Sequence, residues 1–109
     1  MPATFRLQRN DQSFFFHLLD GHGDVLLMSG EFASREDAER AIRDVRVGSL
    51  MSNQIAAGKV PAGETFFVIK DDTGAIIAKS VLFASRMVFD NALHAVKDSA
   101  CVAEISDLT

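Results

Sequence analysis

Phe32-Ala33-Ser34-Arg35 recurs 51 positions later as Phe83-Ala84-Ser85-Arg86. The match continues on both sides, because residues 13–45 align with residues 64–96 without a gap and about a third of the paired positions are identical. We therefore predict a tandem repeat, with copies at about residues 4–53 and 54–107 of a single domain that spans residues 1–109.

Each copy begins with the pattern of a β-hairpin. Two runs of β-forming residues flank a polar turn in which Gly and Asp supply the backbone conformations that tight turns require. In the first copy the runs are Phe14–Leu19 and Val25–Phe32, and in the second they are Thr65–Ile69 and Ala75–Phe83.

A helix follows the hairpin in each copy. Ser34 and Ser85 are suitable N-caps, and Gly48 marks the end of the first helix. Apolar residues then occupy one helical stripe, with spacing i, i+3, i+4 and i+7, at Ala38, Ala41, Ile42 and Val45 and at Phe89, Ala92, Leu93 and Val96.

Three further segments supply flanking strands: Phe5–Arg9, Gln54–Val60 and a closing strand at Val102–Ser106. We predict an α+β fold in which two β-β-β-α-β repeats form one antiparallel sheet. Both helices lie on one face of this sheet, because their apolar stripes can then be buried together.

The repeated motif resembles that of the YegP-like family, small bacterial proteins studied as structural genomics targets. The similarity covers roughly residues 4–107, and the matching residues are Gly23, Ser29, Phe32, Ser34, Ile42 and Val45, then Gly74, Ser80, Phe83, Ser85 and Val96. Phe32 and Phe83 stand where the family pattern has Tyr, and Ala41 and Ala92 where it has Gly. The resemblance implies that the copies exchange C-terminal strands, so that Gln54–Val60 and Val102–Ser106 cross to the other copy's side. It implies no activity for any residue.

Composition and the N-terminal sequence argue against several functional classes. The formal net charge of −4 and the pI of about 5.2 disfavour binding to nucleic acid or to an anionic membrane. Cys101 is the only cysteine, so no internal disulfide can form. The N-terminus lacks the apolar core of a signal peptide, and we expect a cytoplasmic protein.

The titratable and nucleophilic residues do not form a catalytic motif. The three histidines lack the spacing of metal ligands, the two repeated serines lack a Gly-x-Ser-x-Gly context, and the aspartates occupy turns. We therefore predict no catalytic, metal-binding or cofactor-binding residue among His17, His22, His94, Ser29, Ser80, Asp20, Asp24, Asp71 and Asp72.

The strongest functional signal is aromatic. Side chains alternate between the two faces of a strand, so Phe15, His17 and Leu19 should lie on the face opposite the helices, with Phe66 beside them by repeat symmetry. Exposed apolar patches mark contact surfaces. We predict a non-enzymatic protein that acts through protein or self association, with a homodimer as one form. The alternative is small-molecule binding or a weak enzymatic site at the seam between the copies.

Overall fold

The computed structural model describes residues 3–109 and contains a seven-stranded sheet and two helices. The strands lie in the order β4-β5-β6-β3-β2-β1-β7. This confirms the mixed α+β class. The elements are β1 (Thr4–Asn10), β2 (Ser13–Leu19), β3 (Val25–Ser29), α1 (Arg35–Gly48), β4 (Ile55–Lys59), β5 (Thr65–Lys70), β6 (Ile76–Lys79), α2 (Arg86–Ser99) and β7 (Glu104–Asp107).

Both helices begin at the predicted serines. The Ser34 hydroxyl accepts a hydrogen bond from the Asp37 N–H, and the Ser85 hydroxyl accepts one from the Val88 N–H. Each bond satisfies a backbone donor that the first helical turn leaves without an intrahelical partner. Asp20 and Asp71 play the predicted turn role, since each carboxylate accepts two backbone N–H bonds within its hairpin.

One hydrophobic core holds the two halves of the chain together. The buried face of the sheet contributes Phe16, Leu18, Phe67 and Ile69, which belong to the same cluster as residues of both helices, among them Ile42, Val45, Phe89 and Val96. Because the helices share this cluster, they cover the same face of the sheet and leave its other face without a helix.

The sheet is not wholly antiparallel, and on this point the sequence prediction is wrong. β7 pairs with β1 in parallel, with Thr4 opposite Glu104 and Leu7 opposite Asp107. α2 and the 3-10 turn after it, Ala100–Val102, return the chain to the end of the sheet where β1 begins. β7 therefore runs in the same direction as β1.

The segment Gln54–Val60 contains β4 and lies beside the hairpin of the second half. β4 pairs with β5 in antiparallel register, with Ala57 opposite Phe67. A hairpin turn over residues 60–64 joins these two strands and keeps them adjacent. Within residues 3–109, no strand pairs with the outer edge of β4.

Candidate functional site

The candidate site is the helix-free face, which we define as the surface formed by the strand side chains that point away from α1 and α2. Strand register places one row of these side chains across the whole sheet. From β4 to β7 the row reads Ala56, Val68, Lys79, Met28, His17, Arg6 and Ser106.

Half-exposed aromatic rings lie in this row and beside it. The Phe15 and His17 rings are tilted against each other, with centroids 5.4 Å apart. The Phe66 ring lies over Gly58, where an added Cβ would come within 2.5 Å of it. The Lys79 ammonium sits 4.7 Å from the centroid of the Phe66 ring, a cation–π contact. Three of the four predicted surface residues, Phe15, His17 and Phe66, are therefore accessible on this face.

Leu19, the fourth predicted surface residue, is only 6% exposed. The register of β2 with β3 shifts between Leu18 and Leu19, where Leu26 of β3 is the extra, unpaired residue. Strict alternation places Leu19 on the helix-free face beside Thr4, but its side chain is covered there. Leu19 offers little area to a partner.

The environment of His17 lowers its pKa. Burial of the imidazole contributes most, and the positive charge of Arg6 adds to it. Arg6 is the residue directly opposite His17 on β1. Both effects disfavour the charged imidazolium, so His17 is mainly neutral at pH 7 and presents an uncharged ring to solvent.

The helix-free face has a different charge from the chain as a whole. Its strand positions include the cations Arg6, Lys70 and Lys79, against one anion, Glu104. The chain carries a net charge of −4, so its acidic residues are concentrated on the helices and in the turns. The face is locally basic on an acidic protein.

An open cavity of about 440 Å³ lies at the seam between β3 and β6. The two strands pair only through Met28 with Lys79 and Ser29 with Ala78, which leaves the adjoining backbone unpaired. The cavity is lined by Met28, Ser29, Gly30, Ile76, Ile77, Ala78 and Lys79. Lys79 is the titratable side chain in this lining, which contains no carboxylate and no histidine.

A second hollow, of about 240 Å³, lies between α1 and the β5–β6 hairpin and includes Asp37, Asp44 and Asp71. The hydrogen bond from the Thr73 hydroxyl is the main cause of a lowered pKa at Asp71. A general acid at neutral pH needs the opposite shift. Asp71 serves the turn rather than proton transfer.

The repeated serines have structural roles. Ser29 Oγ accepts a 2.9 Å hydrogen bond from the Phe16 N–H and donates to the Gly30 carbonyl. Ser80 Oγ makes the matching bonds with the Phe67 N–H and the Val81 carbonyl. At the end of each hairpin, the serine hydroxyl is therefore the acceptor for a backbone N–H of the neighbouring strand.

The remaining predicted candidates do not converge. Across residues 3–109, no three His, Cys, Asp or Glu side chains are grouped so that they could hold a metal ion. His94 pairs with Asp98 one turn along α2 at 2.9 Å, while His22 is exposed in a turn and Cys101 is exposed after α2.

One region was missed by the sequence analysis. Ala57, Thr65, Arg86 and Phe89 enclose a cavity of about 190 Å³ beside β4. These residues are far apart in sequence and share no motif. Only the strand register and the unpaired edge of β4 reveal the region.

In the part of the chain that the structure describes, neither helix has the length and apolar character needed to cross a bilayer.

No protein-family model matches the chain. Individual proteins do match. This chain is 28% identical over 108 residues to UPF0339 protein PA0329 of Pseudomonas aeruginosa, and the alignment covers 98% of both chains. It is 26% identical over 110 residues to UPF0339 protein YegP of Escherichia coli, covering 100% of each.

Solved structures agree with these sequence matches. The solution structure of UPF0339 protein SO3888 from Shewanella oneidensis superposes with a TM-score of 0.94 at 25% identity, over 100% of this chain and 93% of the other. The solution structure of the E. coli protein, described as being of unknown function, gives a TM-score of 0.91 at 26% identity and covers 95% of that chain.

Proposed function

We propose that this chain, a full-length homologue of the UPF0339 (YegP) proteins, is a non-enzymatic cytoplasmic protein that acts through association, with a second copy bound at its helix-free face. The observation that carries the proposal is the set of half-exposed rings of Phe15, His17 and Phe66 on a face that no helix covers. Burial of aromatic surface is the main source of association free energy.

We also propose that the chain is a single domain of two tandem repeats, residues 4–53 and 54–107, whose halves exchange a C-terminal strand. The matched contacts of Ser29 and Ser80, and of Ser34 and Ser85, support the repeat. The pairing of β7 with β1 supports the exchange, since β7 follows the second helix and joins the first strand. Residues 1 and 2 lie outside the described part of the chain.

Charge gives this association a characteristic salt dependence. Two copies that meet face to face bring Arg6 and Lys79 of each near the same cations of the other, and this repulsion weakens the dimer. Added salt screens repulsion between exposed charges, so salt should strengthen self-association. Binding of a nucleic acid to the same basic face would show the opposite trend, because salt weakens contacts with phosphates.

Light scattering tests the proposal directly. The wild-type chain should have the mass of a dimer at high protein concentration, and Phe15→Ser should be a folded monomer because a polar side chain replaces a central ring. Leu50→Ser is the control, since Leu50 is also apolar and accessible to solvent but lies beyond α1, off the helix-free face. A wild-type monomer at every salt concentration would contradict the proposal.

The cavity at the β3–β6 seam favours a second candidate function, the binding of a small apolar molecule. Its lining is mainly aliphatic, with Ile76 largely exposed beside Ile77 and Ala78. The fluorescent probe anilinonaphthalene sulfonate should bind to the folded wild-type chain and perturb the amide signals of β6. Unchanged fluorescence, or perturbation confined to other strands, would remove this candidate.

A further inference from the structure

The two ends of the sheet are built alike, but only one of them is completed by a strand. β1 is covered by β7, whereas β4 has no partner on its outer edge within residues 3–109. Register makes the two edges comparable. Leu7 lies opposite Phe16, and Ala57 lies opposite Phe67. Because Phe16 and Phe67 are matched positions of the repeat, Ala57 occupies in the second half the position that Leu7 occupies in the first.

At the completed edge, a cation on the helix holds the added strand. Arg35, the first residue of α1, forms a salt bridge with Asp107 of β7. Further along α1, Arg46 donates a 2.7 Å hydrogen bond to the Ala103 carbonyl at the start of the same segment. The added strand is therefore recognised by its backbone and by one carboxylate.

At the open edge, the matching cation is present without such a partner. Arg86, the first residue of α2, forms a salt bridge with Asp90 of its own helix, at 3.2 Å, and with no strand residue among those that the structure describes. The Arg86 side chain is 86% exposed, against 52% for Arg35. The fold thus repeats the carboxylate-binding position, but none of the seven described strands fills it.

The open edge also has space for a side chain. In the first half Leu7 is fully buried and fills the position next to β7. In the second half the smaller Ala57 leaves a cavity of about 190 Å³, bounded by Thr65, Phe89 and Arg86. A strand beside β4 could place an apolar side chain against Phe89 and a carboxylate near Arg86.

The residues near Arg86 in sequence are more apolar than those near Arg35, as expected of a contact site. Three positions that are acidic in the first half are apolar and exposed in the second. They are Leu82, Met87 and Val88, which match Glu31, Glu36 and Asp37. Exposed apolar side chains of this kind often mark contact surfaces.

We propose that the outer edge of β4, together with the cavity beside Arg86, binds an extended acidic segment of a partner protein as an added parallel strand. The segment carries an apolar residue and a carboxylate two positions later, as Ile105 and Asp107 do in β7. Strand addition of this kind draws affinity from main-chain hydrogen bonds and specificity from side-chain pockets. The inference rests on the repeat relation between the two halves, but not on the helix-free face.

The probe is a fluorescent peptide with the sequence of residues 102–109, Val-Ala-Glu-Ile-Ser-Asp-Leu-Thr, added to the full chain. We expect saturable binding with amide shifts concentrated in β4. Arg86→Glu should weaken binding about fivefold or more, because it replaces an exposed attraction by a repulsion. A peptide carrying Asp107→Lys should recover affinity for the Arg86→Glu protein, which a merely misfolded variant would not allow.

Two controls decide between the possible sites. Arg43→Glu, a charge reversal at an exposed position of α1, should leave peptide binding unchanged. Binding that is lost with Arg35→Glu but kept with Arg86→Glu would mean that the peptide displaces β7 from β1, and it would overturn the proposal. So would a wild-type dimer that Arg86→Glu dissociates, since the edge would then pair with a second copy.

The Phe15→Ser variant separates this inference from the proposed function. Peptide binding should be the same in this variant as in the wild type, since Phe15 lies on the helix-free face of β2. If the peptide does not bind the wild-type chain while the Phe15-dependent dimer is observed, only the inference about the β4 edge fails.

Discussion

At the scale of single residues, the two serines that end the hairpins allow a matched comparison. Ser80 is 2% exposed, and its hydroxyl is the acceptor for the Phe67 N–H in a buried setting. Ser80→Ala leaves that donor unpaired, which costs about 1–3 kcal/mol of unfolding free energy. Ser29→Ala should cost less, because Ser29 is partly exposed and water can replace its hydroxyl. Urea unfolding of both variants checks this order, and equal losses would contradict it.

His17 supports a prediction about pH. Its lowered pKa means that the unfolded chain binds a proton more readily than the folded chain does. His17 therefore has no effect on stability well above pH 6.5, and it destabilises the fold progressively as pH falls below that value. The destabilisation is complete once pH is below the folded-state pKa. Titration of the imidazole signals by NMR should give a pKa below 6.5.

The cause of the His17 shift can be tested separately. Arg6→Gln removes the charge opposite His17 and should move the pKa part of the way back, because burial remains as the larger cause. An unchanged pKa in Arg6→Gln would show that the arginine contributes nothing. His17→Val, which copies Val68 at the matched position, should remove the part of the acid destabilisation that comes from His17.

At the scale of secondary-structure elements, Gly48 at the end of α1 shows a conflict between two effects. Gly48→Ala should gain up to about 1 kcal/mol from helix propensity. An added Cβ would, however, come within 2.9 Å of Ile69 Cγ2 and 3.1 Å of the Lys70 carbonyl. Overpacking of this kind costs about 1–3 kcal/mol. We expect a net loss of stability in thermal unfolding, and an increase would contradict the packing argument.

Elements defined by local chemistry were predictable from the sequence. Ser34 and Ser85 fix the helix starts through side-chain bonds that involve only the next three residues. Gly23 and Gly74 have the expected left-handed backbone, with φ of 88° and 93°. Gly48 is different, because it ends α1 without a positive φ. Its importance comes from its contact with β5, which local sequence does not encode.

Strand direction depends on the tertiary path and was predicted less well. A strand has the same alternating pattern whether its neighbour is parallel or antiparallel, so nothing in Val102–Ser106 specifies the parallel pairing of β7 with β1. The bulge at Leu26 of β3 is likewise absent from the hydrophobic pattern. Phe15, His17 and Phe66 lie on the helix-free face because alternation holds at those positions. The Arg86 region could not be found without the register.

At the scale of the whole molecule, β7 should stabilise the complete sheet. Removal of residues 103–109 deletes the parallel pairing with β1, the Arg46–Ala103 hydrogen bond and the Arg35–Asp107 salt bridge. Since each net hydrogen bond contributes about 0.5–1.5 kcal/mol, we expect a loss of about 2–4 kcal/mol. Urea unfolding of the shortened chain measures it. A shortened chain as stable as the full one would show that β7 contributes nothing to the sheet.

The central claim is that the helix-free face is an association surface, and NMR spectroscopy of a dilution series tests it most directly. Amide signals of the wild-type chain are recorded as the protein is diluted. The account predicts concentration-dependent shifts concentrated at Phe15, His17 and Phe66 and their neighbours on β2 and β5, with larger changes at higher salt. Spectra that do not change with concentration, or shifts confined to α1 and α2, would contradict it.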